Sequence, residues 1–201
     1  MLAQVVVVDA GHGVQPGCAT NCEGRTDTEV FTNLAVAEKL EDLLSSCGIT
    51  VHLTRTNNSC VTCITLGQRA AMSNSWGADR FLSIHCNAGG GTGTETFWCN
   101  NSSSSNSACQ SFAEEVQAQM VSHGNWVDRR CVEDNTYLLF HLGVLHPTDA
   151  IGCLNEIGFV DFAADAAKLT SNSWRDDFAE AYFEALQNDL GFTWPLAPPC
   201  E

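Results

Sequence analysis

The chain has 201 residues, 44% of them hydrophobic, enough for one domain with a real core and short for two. Its 24 acidic residues face only 9 basic ones, for a net charge of −15. That excludes nucleic acid and anionic membrane surfaces as partners, since both need clustered Lys and Arg, and the chain has no basic run. Repulsion among the acids is screened by salt, which suits a saline habitat; a flat salt series of activity and melting temperature would remove that reading.

In chain order, Val5–Val8 is continuously apolar, as in a strand covered on both faces. It runs into Asp9-Ala10-Gly11-His12-Gly13. The spacing of Val30, Leu34, Ala37, Leu40 and Leu44 predicts a helix over 28–46, with Glu38, Glu41 and Asp42 outward. Gly48 ends it, and 50–54 (TVHLT) predicts a second strand. A weaker helix is expected over 65–75, a third strand over 80–84 ending at His85, and a fourth over 94–98. Residues 107–123 predict an amphipathic helix, 150–157 contain a further strand, and 174–190 form a last helix carrying Phe178, Tyr182 and Leu186 on one face. The alternation implies a single α/β domain over 1–192, a twisted, mostly parallel sheet flanked by helices as in phosphorylase- and hydrolase-like folds. Residues 193–201 form a Pro-rich tail. No stretch approaches the length of a membrane span. No signal-peptide pattern precedes Val5, so for an exported protein the sequence is expected to be the mature form, or release is by something other than a signal peptide.

Eleven cysteines suit an exported protein better than a cytosolic one. Cys18 with Cys22, Cys60 with Cys63, and Cys99 with Cys109 are close in sequence, and disulfides are the expected use. A structural zinc site from Cys18, Cys22, Cys60 and Cys63 is the rival reading, although only Cys60 and Cys63 have knuckle spacing.

Functional groups in open α/β sheets gather at strand ends. His12 follows the first strand, His85 ends the third, and Glu156 sits in "LNEIGF" at the end of a late one. Glu29 opens the first helix. Two imidazoles and a carboxylate form a common three-ligand zinc set that leaves a fourth position for water, beside which a second carboxylate acts as general base. Singly, each residue has an ordinary explanation: a loop histidine, an acid favoured by the helix dipole, a core histidine. Glu156 is the hardest to explain so, because a carboxylate between Leu154 and Ile157 is costly to bury without partners.

With these residues in place the chain resembles the zinc-dependent N-acetylmuramoyl-L-alanine amidases of the Amidase_3 type. The resemblance runs from Val5 to about Leu190 and rests on "VVVDAGHG", "TEVFTNLAVAEKL", "VHLTR", "LGQRAAMSNSWGADRFLSIHCNA", "GTETFW" and "LNEIGFV". It departs at Val14, at Asn74-Ser75 and at Cys86, which stands beside His85 where alanine is common. On a strand Cys86 is expected to face away from the metal.

The resemblance implies Zn2+ on His12, Glu29 and His85 with Glu156 as catalytic acid/base. The implied substrate is peptidoglycan or its muropeptides, cut at the amide between N-acetylmuramic acid and L-alanine by zinc-activated water. The protein is expected to be a monomer acting outside the cell or in the periplasm, at the cell wall. A zinc peptidase on another stem-peptide amide and a non-catalytic wall-binding module are the alternatives. Asp9 is a candidate for orienting a ligand or capping the loop. Arg129 and Arg130 read as surface arginines, with contact to a stem-peptide carboxylate as their other use. The family's autoinhibitory helix would fall within Val127–Asp149, which is short, so an open site is expected.

Overall fold

The computed structural model describes residues 4–13, 26–58, 64–100 and 106–193. Cys18, Cys22, Cys60 and Cys63, with the pairings read for them, and the tail beyond 193 lie outside the described residues.

A six-stranded sheet forms the middle layer: β1 (Val5–Ala10), β2 (Thr50–Leu53), β3 (Arg80–Asn87), β4 (Thr94–Trp98), β5 (Asp128–Glu133) and β6 (Ile151–Phe159), in the order β2-β1-β3-β6-β4-β5. All neighbours pair in parallel except β4 with β6. The edge strand β5 was not foreseen. Its sequence, DRRCVE, carries no apolar run, because an edge strand half in solvent needs none.

Helices α1 (Asp27–Ser46), α3 (Asn106–Gly124) and α6 (Asn172–Leu190) cover one face. Val6, Val8 and Ala10 meet Leu40, Phe112, Val116, Phe178 and Tyr182 there. On the other face Val7, Phe81, Phe97, Cys99 and Leu154 pack beneath α2 (Leu66–Trp76) and the chain leading to β6, through Trp76, Val144 and Leu145. Two shorter helices, α4 (Asp134–Leu138) and α5 (Ala163–Thr170), also escaped the periodicity, being too short to establish one.

Local chemistry fixes the ends. Thr26 caps α1 by accepting from the Glu29 amide, and Thr65 and Gln68 form a reciprocal capping box on α2. Asn155, fully buried on β6, donates to Thr94, to Thr96 and to the Glu95 carbonyl and accepts from Tyr182 of α6 at 2.6 Å. This satisfied polar knot pins the strand that delivers Glu156.

Candidate metal centre

The alternation of each strand decides where its chemistry points. On β3 Leu82, Ile84 and Cys86 enter the helix-covered core, so Ser83 and His85 face the other way. On β6 Cys153 and Ile157 do the same, which puts Glu156 on the face of His85. His85 and Glu156 are register partners across β3 and β6, and Glu156 is in turn opposite Glu95 on β4.

His12 arrives by a different route. Its backbone is left-handed, φ 60°, a cost that non-glycine residues carry where the surroundings impose it. Here the surroundings are two buried arginines. Arg55 donates to the carbonyls of Ala10, Gly11 and Val30, and Arg69 to those of Ala10 and His12. Gly11 is required for a steric reason: a Cβ there would sit 2.4 Å from the His85 ring. Arg69 is itself held by fully buried Asp9, which also accepts from Thr54 and Ser83. Asp9 therefore caps the loop through Arg69.

The result is a buried cluster. His12 Nε2 lies 3.0 Å from Glu29 Oε1, and His85 Nδ1 lies 3.4 Å from the same oxygen. The imidazole rings stand edge to face, centroids 4.6 Å apart. Burial works to raise the Glu29 pKa, yet hydrogen bonds and positive charge from His12 and His85 outweigh it and bring the carboxyl down to about 2. An acceptor-only carboxylate with two imidazole nitrogens is a donor set for a borderline divalent cation. Bonds of 2.0–2.1 Å in a tetrahedron separate nitrogen and oxygen by about 3.3 Å, so the observed spacings fit one ion with little rearrangement.

Those three side chains and Glu156 line one cavity of about 250 Å3, closed on one side by Leu142, Gly143 and Val144. A second cavity of about 600 Å3 shares Asn87, Leu142, Leu154 and Glu156 with it and continues past Arg129, Phe159, Tyr137 and Phe140. The short 134–138 helix adds no ligand to the first cavity's lining.

The four residues singled out in the sequence are thus brought together. Cys86 faces away from His85, as alternation requires, and its thiol donates to Asn33 while its amide donates to Glu29 Oε1. Two readings need correction. Arg129 and Arg130 are not free surface arginines: both pair with Glu95 Oε2, at 3.0 and 3.1 Å, and lie over the rings of Phe159 and Tyr137. Cys99 and Cys109 are not joined by a disulfide. Cys99 belongs to the core under α2, whereas Cys109 lies near Cys153 on the opposite face, so the sheet separates them. Sequence reasoning also missed Glu95, a buried carboxylate held by both arginines and by Asn87; its inward position in an alternating strand was the available signal.

An α/β sheet that gathers such a donor set beside a carboxylate has the layout of a metal-assisted hydrolase. The chain belongs to the N-acetylmuramoyl-L-alanine amidase family, whose model matches residues 6–188. It is 30% identical over 184 residues to the sporulation-specific N-acetylmuramoyl-L-alanine amidase of Bacillus subtilis, covering 90% of this chain and 66% of that protein. It is 33% identical over 183 residues to the amidase CwlM of Bacillus licheniformis, with coverage again 90% and 66%. The chain thus spans about two thirds of the length of these curated relatives. Among solved structures, the amidase from Clostridium difficile 630 superposes with a TM-score of 0.77 at 28% identity, covering 94% of this chain and 97% of that one. The catalytic domain of CwlV from Bacillus (Paenibacillus) polymyxa var. colistinus gives 0.78 at 27%, covering 94% and 99%.

Proposed function

We propose that the protein is a zinc-dependent N-acetylmuramoyl-L-alanine amidase that hydrolyses the bond between the lactyl group of N-acetylmuramic acid and L-alanine. The observation that carries this is the convergence of His12, Glu29, His85 and Glu156 on one cavity in a chain of this family. His12, Glu29 and His85 hold the zinc. Bound there, it supplies Lewis acidity toward a water and toward the amide carbonyl.

The chain's own residues do the rest. Glu156, one strand from His85, takes the proton of the attacking water and returns it to the alanine nitrogen, which leaves as a neutral amine. The wider cavity gives the sugar and stem peptide exposed aromatic surface at Tyr137 and Phe140. Peptidoglycan lies outside the cytoplasmic membrane, so the wall is the site of action. Among the described residues no helix is long and apolar enough to cross a membrane.

Mass spectrometry of muropeptides released from purified peptidoglycan tests the reading. Stem peptides with a free N-terminal alanine beside intact glycan are expected. Cleavage inside the stem would make the enzyme a peptidase, and absence of product with zinc bound would make it a wall-binding module.

A further inference from the structure

A second group of ligating side chains lies away from the first. Cys99, at the end of β4, directs its thiol to within 3.4 Å of His141 Nδ1 and 4.0 Å of His146 Nδ1. These atoms lie within 4.8 Å of one another. The two imidazoles stack nearly parallel, 9° between planes and 4.9 Å between centroids. His141 Nδ1 is also 2.9 Å from Asp134 Oδ1 and 3.8 Å from Glu133 Oε1. Glu133 is 7% exposed, and its Oε1 is buried without a hydrogen-bond donor, although it faces this cluster. Asp134 is fully buried.

We propose that Cys99, His141 and His146 form a second, structural metal site for a zinc-class divalent ion, with the carboxylates of Glu133 and Asp134 beside His141. A thiolate with two imidazoles is a borderline-soft donor set that selects zinc over magnesium or calcium. With bonds of about 2.3 Å to sulfur and 2.0–2.1 Å to nitrogen, a tetrahedral edge is about 3.6 Å. The two sulfur-to-nitrogen distances bracket that value. Four residues separate His141 from His146, a spacing used by histidine pairs on structural zinc. Burial is graded from Cys99 through half-buried His141 to exposed His146, which gives the ion an entry side. Binding releases the Cys99 thiol proton to solvent.

The placement says what the ion would do. Leu142, Gly143 and Val144, which wall the catalytic cavity, are three of the four residues between the two histidines. A metal on both histidines and on β4 clamps that wall to the sheet at each end. It makes no contact with substrate, so it is a positioning device and not a second reaction centre.

Cobalt separates the two sites, because only a cysteine-containing site gives a near-ultraviolet sulfur-to-cobalt charge-transfer band. The full chain, stripped of metal under reducing conditions, is titrated with Co2+ beside Cys99→Ser, His146→Gln and His12→Ala. The band is expected in the unsubstituted protein and at equal amplitude in His12→Ala, to lose amplitude in Cys99→Ser, and to need at least tenfold more cobalt for that same amplitude in His146→Gln. His146 is exposed, so that variant folds whatever Cys99→Ser does. No band in the unsubstituted protein, or a band of full amplitude in Cys99→Ser, overturns the proposal. Either result leaves the amidase reading untouched, since that is read from muropeptide products.

Discussion

The two ligating clusters differ in what brings them together. His85 on β3 and Cys99, just past the end of β4, lie on the same face of the sheet. The first cluster is assembled by regular elements: a central strand, a helix N-terminus and a loop tied down by Arg55 and Arg69. The second hangs on the segment after α4, held by hydrogen bonds to Asp134 from Leu142 and His141 and by the packing of Val144 and Leu145. A site built on rigid elements keeps its geometry before any ion arrives; one built on a loop borrows its order from the ion. The first therefore suits chemistry, and the second suits fastening.

The largest expected effect sharpens that contrast at the ligands. His12→Ala or His85→Ala should lose one metal equivalent and all turnover, as read by metal analysis and amide-hydrolysis assay, while the chain stays folded. A variant that keeps tight metal at the first cluster removes that residue from the ligand set.

A smaller effect comes from the scaffold beneath. Arg69→Ala leaves Asp9 as a fully buried carboxylate without its cation, a loss of about 3–5 kcal/mol in urea unfolding. The same pair sets acid sensitivity. Burial acts to raise the Asp9 pKa, but Arg69, Thr54 and Ser83 together hold it below the ordinary 3.8. A depressed folded value means that the contribution is complete above about pH 4 and is lost as pH falls through the lower, folded value. Unfolding measured from pH 6 downward should show that decline in the unsubstituted protein and a flatter curve in Asp9→Asn. Equal slopes would mean that Asp9 is not what the acid removes.

The contrast also explains what could be read in advance. His12, Glu29, His85 and Glu156 stand at the ends of apolar strands or the start of a periodic helix, where a polar residue departs from a regular pattern. The alternation on β3 even placed Cys86 correctly. His141 and His146 interrupt no pattern, because the chain from α4 to β6 has no period of its own, and Cys99 gave no sign of partners more than forty residues away. Sequence proximity suggested Cys109 for it instead, since nothing local reveals that a sheet lies between them. Arg129 and Arg130 misled for a related reason: their partner Glu95 stands opposite Arg130, with Arg129 at the adjoining register shift, and pairing between strands is not encoded in one strand's sequence.

The division of labour within the first cluster is the central claim, and Glu156→Gln tests it most directly. Gln keeps the shape of the side chain and removes its capacity to accept and return a proton. Metal content measured on the same sample as turnover should equal that of the unsubstituted protein, while turnover falls by about 10²–10⁴-fold. Loss of a metal equivalent would contradict the account by making Glu156 a ligand, and retained turnover would contradict it by removing Glu156 from the reaction.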